Sequence, residues 1–167
     1  LAKKLYWIRN HGLKNRDTCK IFAFNSRLDT LQATVANYKL EKKLNNITLK
    51  RIDNASLLDK LLENNKNVKT IKRKKYLKEV FHLYHINVKK RDGLKKYLLK
   101  NNVDAKIHYP KPIHLQPAAK FLKYKVGDFP NAERIAKSSL SLPVHEFISK
   151  KSILRMVDLI DKFYKKN

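Results

Sequence analysis

The chain has few of the residues that the commonest functional sites require. Three glycines among 167 residues leave no glycine-rich loop in which backbone amides could cradle a phosphate. A single cysteine, Cys19, rules out an internal disulfide framework and a thiolate metal site. No His-Glu-x-x-His pattern and no Cys/His spacing suggests a metal, so none is expected. No pair of carboxylates stands out for acid–base work. No apolar run approaches the roughly 18 residues of a membrane span, and no signal-peptide pattern opens the chain. A reducing cytoplasm is the expected compartment. Acidic residues are scarce too: 14 Asp and Glu stand against 39 Lys and Arg, a formal net charge of +25.

That charge fits a nucleic-acid-binding footprint, but its distribution is diffuse. Lysine supplies most of it and lies along the whole chain, often beside asparagine, as in "KLNNITLKR", "ENNKNVK" and "LKNNVDAK". Arginine, the better reader of phosphates and bases, is scarce. A solvated lysine surface accounts for this pattern, and the Lys–Asn enrichment also suggests compositional bias in the coding DNA. The densest block, "KTIKRKKYLK" (69–78), is the candidate electrostatic patch. It leaves a basic nucleic-acid-binding module open as an alternative function.

Apolar residues make up 43% of the chain and fall in periodic runs, enough to build a core. Leu1, Leu5 and Ile8 have helical spacing, closed by the glycine of "NHG". No N-cap and no initiator methionine precede Leu1, so the chain is expected to be cut from something longer. "FNSRLDTLQATVANYKLEKKL" places Leu28, Leu31, Val35 and Tyr38 on one face of a long amphipathic helix, capped by Asn25 or Ser26. After a kink near "NNI", the pattern resumes through Ile52, Leu57, Leu58, Leu61 and Leu62 as far as "ENNKN".

The texture then changes. "EVFHLYHINV" (79–88) is aromatic and β-branched with partial alternation, which predicts a strand. Asp92 can cap a short helix, "GLKKYLLKNN". "DAKIHYP" reads as the next strand, stopped by Pro110. "FPNAERIAKSSL" is helical with Pro130 in its first turn, and "SLSLPV" is extended. A last helix carries the stripe Ile153, Val157, Ile160 and Tyr164. The expected architecture is long connecting helices over 1–66, then a small α+β domain over 67–167 with a short antiparallel sheet and flanking helices.

Among the histidines, His82 and His85 lie in the apolar strand and read as packed residues. His11, before a helix-stop glycine, reads as a cap or surface group, and His145 follows Pro143 in a turn. "KIHYPKPIHLQPA" (106–118) is different, because strand, aromatic and proline coincide at "IHYP". The Tyr109–Pro110 pair favours an extended or turn geometry and admits a cis bond. The corner is either a rigid turn alone or a means of presenting His108 and Tyr109 to a polar ligand. "FNSRLD" poses the same choice. Asn25 and Arg27 flank a helix start, where backbone amides and a guanidinium favour phosphate. Otherwise Asn25 is only a cap and Arg27 pairs with Asp29.

"RNHG", "FNSRLDTLQA", "VFHLY", "IHYPKPIHLQPA" and "FPNAERIAKSSLSLPV" follow the order and spacing of the DegT/DnrJ/StrS family. Over essentially its whole length the chain resembles the C-terminal portion of these sugar aminotransferases. The resemblance implies the α/β fold of aspartate aminotransferase, fold type I, with residues 1–66 leaving the large cofactor domain. It implies dependence on pyridoxal 5'-phosphate and transfer of an amino group, typically from glutamate, to a keto carbon of a nucleotide-linked sugar. It further implies a homodimer with active sites shared at the subunit interface, serving polysaccharide or amino-sugar biosynthesis.

In the family the Schiff-base lysine, the acidic partner of the pyridine nitrogen and the aromatic residue stacked on the ring all lie upstream of the helix matched by residues 1–12. No catalytic residue is therefore assigned, and these residues alone are expected to be inactive. An inactive remnant of an aminotransferase is a further alternative. By the same resemblance Asn25 reaches the neighbouring subunit's cofactor phosphate, Arg27 lies near the sugar-nucleotide diphosphate, and His108 and Tyr109 line the substrate pocket. The chain departs from the family in carrying Ala23 where a glycine usually stands two residues before the motif asparagine. It also has Ala105 and Lys106 where a glycine often precedes "IHYP". An extra lysine beside the pocket favours an acidic substrate.

Overall fold

Gly12 stops the first helix, as its place in "NHG" indicates. In the computed structural model, which describes residues 1–74 and 76–166, helix α1 spans Ala2–Ile8. Gly12 follows with φ +73°, and a Cβ there would lie 1.6 Å from the carbonyl oxygen of Ile21. No side chain fits that space, so the close approach requires glycine. It allows Lys20 N–H to donate to the Gly12 carbonyl beside a small hairpin of β1 (Leu13–Asn15) and β2 (Thr18–Cys19). The returning chain pairs with the end of α1. His11 N–H donates to Phe24 O, Ser26 N–H donates to Arg9 O, and Asn10 and Asn25 form a bridge.

Helix α2, Thr30–Lys42, begins at Asp29, whose Oδ1 accepts from Leu31 N–H at 2.9 Å. The cap expected at Asn25 or Ser26 is thereby corrected: those residues are held in the pairing with Arg9 and Asn10. Leu28, Leu31, Val35 and Tyr38 are all exposed, and α2 buries no residue. These residues belong to the first of two compact units, Leu1–Asn45.

Helix α3, Leu44–Leu62, follows a break at Lys43, slightly earlier than the expected kink. Most of it belongs to the second unit, Asn46–Asn167. The composition changes near residue 66, but the units part earlier because Ala55, Leu58 and Leu62 of α3 are embedded in the second unit's core. That core covers one face of an antiparallel sheet ordered β3-β4-β5, formed by Val68–Thr70, Tyr84–Val88 and Ser139–Leu142. Helices α4 (Arg91–Lys100), α5 (Pro130–Ser138) and α6 (Lys150–Lys166) complete the unit with two 3-10 segments, Ile113–Leu115 and Pro117–Leu122. No described helix is long and apolar enough to cross a membrane.

The pleat sorts the strand residues into two sets. Tyr84, Ile86 and Val88, with Leu140 and Leu142, join Leu94 and Leu98 of α4 and Ile153, Met156 and Ile160 of α6 in one apolar cluster. Full burial of each large aliphatic side chain contributes about 1.5–3 kcal/mol. His85, Asn87, Ser139 and Ser141 alternate with these residues and point to the other face.

The strand expected over 79–88 is confined to Tyr84–Val88. Phe81 stands at φ +50°, which no strand residue adopts, and the preceding turn is held by charges. Arg73 Nη1 donates to both Asp59 oxygens at 2.8 Å, and Arg73 Nε donates to Glu79 at 2.7 Å. The "DAKIHYP" strand reduces to a single bridge, Lys106 to Ser141. The bond between His108 and Tyr109 is cis, one residue before the Tyr109–Pro110 bond at which the sequence admitted one.

Asp92 does not cap α4. Lys90 takes that position in the left-handed region, and Asp92 pairs with Arg91 at 2.8 Å in the first turn. Arg91 itself is buried and donates from Nη1 to the carbonyls of Ala136 and Ser139, at the C-terminal end of α5. It thus satisfies acceptors that a helix end leaves open.

Replacing Leu58 by Ala is expected to lower unfolding stability by about 2–5 kcal/mol, read from urea denaturation. Leu31→Ala, at a side chain 77% exposed, is expected to change it by no more than about 0.5 kcal/mol. The opposite ranking would refute the placement of α3 in the core.

Candidate functional site

The polar face of the sheet gathers a compact hydrogen-bonded group. Cross-strand pairing sets His85 of β4 opposite Ser141 of β5, and the bridge to Lys106 fixes Ser141 from its other side. His108 follows Lys106 by two residues and returns to the same serine. Ser141 Oγ lies 3.0 Å from His85 Nδ1 and 2.9 Å from His108 Nδ1. The two imidazoles meet edge to face with centroids 6.1 Å apart. Ser141 is buried, while both histidines are half-buried. Burial holds the His85 pKa below the ordinary histidine value, the neighbouring His108 adds to the depression, and Glu79 opposes it.

This group borders a cleft of about 300 Å³ whose lining includes Arg51, His82, Lys106, His108 and Ser141. The fixed cations here have anionic partners. Arg51 is bound to Glu146 at 2.9 Å and donates to Phe81 O, and Lys106 pairs with Asp104 at 3.1 Å.

Tyr109 stands beside His108, ring against ring at 5.6 Å and nearly perpendicular, yet it borders a different cleft. That second cavity, about 520 Å³, is mostly apolar, with Pro112, Ile113, Phe129 and Ile135 among its lining residues. His114, which also lines it, lies 3.2 Å from Glu133, and Glu133 accepts from Gly127 N–H at 2.8 Å. The corner at residues 108–110 therefore serves two clefts.

Asn25 and Arg27 lie in the first unit and are exposed. Asn25 Oδ1 accepts from Arg27 N–H at 3.4 Å. Its amide NH2 and the Arg27 guanidinium have no hydrogen-bond partner among the described residues. Asp29 is occupied as a cap, so the Arg27–Asp29 ion pair allowed by the sequence does not form. A neutral amide donor and a guanidinium two residues apart suit the oxygens of a phosphate.

Two members of the polar cluster were not legible as site residues. His85 reads as a packed histidine in an apolar strand, and Ser141 as part of an extended piece. The signal that could have found both is the alternation of "YHINV" and "SLSL", which puts them on the face away from the apolar set.

Comparison with known proteins places the chain in a family. The sequence profile of the DegT/DnrJ/EryC1/StrS aminotransferase family matches residues 1–161. The chain belongs to this family. It is 36% identical to a "Pleiotropic regulatory protein" of Geobacillus stearothermophilus, over 99% of its own length and 45% of that protein's. It is 29% identical to dTDP-3-amino-3,6-dideoxy-alpha-D-galactopyranose transaminase of Aneurinibacillus thermoaerophilus, covering 98% of the chain and 44% of the enzyme. The crystal structure of S. venezuelae DesV in complex with a ketimine intermediate superposes with a TM-score of 0.86 at 28% identity, covering 97% of this chain and 43% of DesV. The chain thus spans less than half the length of these family relatives. Within the fold it corresponds to the C-terminal part read from the sequence, helices followed by a small α+β domain with a short antiparallel sheet.

Because the folded state depresses the His85 pKa, the unfolded chain binds more protons in the histidine range, and stability rises with pH there. The contribution is complete above the ordinary histidine pKa and is lost as pH falls through and below it. Thermal melts followed by circular dichroism across that window are expected to show a falling Tm, and His85→Gln is expected to flatten the slope. An equal slope in the variant would refute the assignment.

Proposed function

We propose that the whole protein containing this chain is a pyridoxal 5'-phosphate-dependent aminotransferase acting on a nucleotide-linked keto sugar. Glutamate is its amino donor, and its product serves polysaccharide or amino-sugar biosynthesis in the cytoplasm. The observation that carries this reading is the family match over residues 1–161. The dTDP-sugar transaminase among the relatives supports the substrate class. The bound cofactor supplies an electron sink that eases bond changes at the carbon carrying the nitrogen.

The tasks left to this chain are binding and orientation. Asn25 donates its free amide N–H to a phosphate oxygen of the cofactor held by the neighbouring subunit of a homodimer. Arg27, two residues on, answers the diphosphate of the sugar nucleotide, a charge-assisted contact contributing roughly 1.5–3 kcal/mol. His108 turns its ring towards a sugar oxygen, and Tyr109 closes the same corner from the side of the apolar cleft. No lysine of this chain is assigned the covalent role. Residues 1–66 comprise the segment leaving the large domain and the connecting helices, the last of which, α3, packs into the core of the small domain.

The alternative, a nucleic-acid-binding module built on "KTIKRKKYLK", is weakened by the use of its arginine. Arg73 is bound by Asp59 and Glu79 and stacks over Phe81 at 4.8 Å, while Lys69 lies in β3. Lys75 of this block lies outside the described residues.

In the whole protein, Asn25→Ala is expected to weaken cofactor retention about tenfold, a loss of about 1.4 kcal/mol, measured by equilibrium dialysis. His108→Ala is expected to raise KM for the nucleotide sugar without loss of cofactor. Unchanged retention in the first and unchanged KM in the second would refute the respective roles. The 167 residues alone, titrated with pyridoxal phosphate, are expected to give no stoichiometric protein-bound absorption band. Such a band would place the covalent lysine within this chain and overturn the assignment.

A further inference from the structure

We propose that Ser141 and His85 are positioning residues that hold the His108 ring and couple its tautomer to that of His85, so that the two rings carry their protons on different nitrogens. This deepens the reading of His108 as a sugar-facing residue and rests on it. A hydroxyl carries a single proton. Ser141 Oγ lies within hydrogen-bond distance of two Nδ1 atoms, His85 at 3.0 Å and His108 at 2.9 Å. A serine hydroxyl donates once and accepts through its lone pairs. With both rings neutral, it donates to one Nδ1 and accepts from the other. One histidine therefore carries its proton on Nδ1 and the other on Nε2. Two isolated neutral histidines would both favour the Nε2–H form, so the shared serine imposes a difference that neither ring has alone.

The serine is well placed to impose it. Its backbone pairs with His85 on one side, and on the other its N–H donates to Lys106 O at 2.7 Å while its carbonyl accepts from Lys106 N–H at 3.0 Å. The side chain is buried against both rings. The neighbouring charges are paired among themselves, although Glu79 still acts on His85. Arg51 is matched by Glu146 and Lys106 by Asp104, and Glu79 is bound to Arg73. His82 and His145 border the same cleft, but the hydrogen bonds to the serine hydroxyl come from His85 and His108.

The consequence is a choice at His108 Nε2. In one arrangement that atom donates to a carbonyl oxygen, and in the other it accepts from a hydroxyl. Changing from the first to the second takes up one proton at His85 Nε2, passes one through the hydroxyl from His85 Nδ1 to His108 Nδ1, and releases one at His108 Nε2. Proton number is conserved, and no charge is left in the cluster. A keto sugar offers both kinds of oxygen, so the array lets one ring meet either without separating charge.

The test is the tautomer of each ring, read from two-bond 1H–15N correlation spectra of the 15N-histidine-labelled whole protein above the histidine titration range. The expected result is a mixed pair, one of His85 and His108 protonated at Nδ1 and the other at Nε2. Ser141→Ala is expected to return both to the Nε2–H form, and Ser141→Thr, which keeps the hydroxyl, to retain the mixed pair. The same tautomer on both rings of the unsubstituted protein would overturn the proposal, and that measurement decides the matter even if a variant does not fold. Spectra unchanged in Ser141→Ala would also overturn it. The measurement needs no substrate, so it is separable from the reading beneath. A mixed pair together with an unmoved KM in His108→Ala would sink the substrate role and reduce the array to fold support.

Discussion

The period-two pleat of β4 and β5 holds core and candidate site in one register, and each depends on the other through it. Tyr84, Ile86, Leu140 and Leu142 are buried on one face, and that burial fixes which residues appear on the other. A slip by one residue would turn His85 and Ser141 into the apolar cluster and bring leucine and isoleucine to the cleft. The apolar cost of such a slip is large, so the polar face inherits its precision from the hydrophobic one. His108 adds itself to that face from a different segment, through a single bridge at Lys106 rather than a full strand. The site thus stands on a rigid sheet with one residue supplied by a proline-rich corner, an arrangement suited to orienting a ligand.

Charge plays two separate parts. Lysine makes the chain strongly basic and mostly faces solvent, whereas several of the few arginines are structural. Arg73 joins Asp59 and Glu79, Arg51 joins Glu146, and Arg91 closes the end of α5. Planar guanidinium groups with several donors meet such multiple acceptors better than lysine can. The high net charge is therefore weak evidence of function, because its most specific cations are already engaged. Tyr84 belongs to the same network: its hydroxyl donates to Asp59 at 2.6 Å, and burial above all drives its pKa far upward. It is a donor tying α3 to the sheet rather than a group that titrates.

Some of the fold was legible and some was not, for identifiable reasons. The stripe of α6 was readable because Ile153, Val157 and Ile160 repeat at helical spacing and are buried together. Gly12 was readable as a stop because only glycine tolerates its backbone and the approach of Ile21. Caps were misplaced at Asn25, Ser26 and Asp92, since a residue able to cap is equally able to pair elsewhere. Long-range pairing with Arg9 and Asn10 decided the first two. Strand β3 was missed inside a lysine-rich block, where Val68 alone packs into the core. The strand at 79–88 was overextended because the charges on Arg73, Asp59 and Glu79 act across the fold and leave no local pattern.

The order of motifs by itself determined the family, the helices and the identity of Asn25, Arg27, His108 and Tyr109 as residues worth locating, since these depend on local spacing. Only the tertiary structure decided that His108 and Tyr109 open on different clefts and that a buried serine joins two histidines far apart in the chain. Residues 85, 108 and 141 share no sequence period. They meet because strand pairing and the burial of apolar side chains elsewhere leave them one common face, and that is a property of the whole fold rather than of any segment.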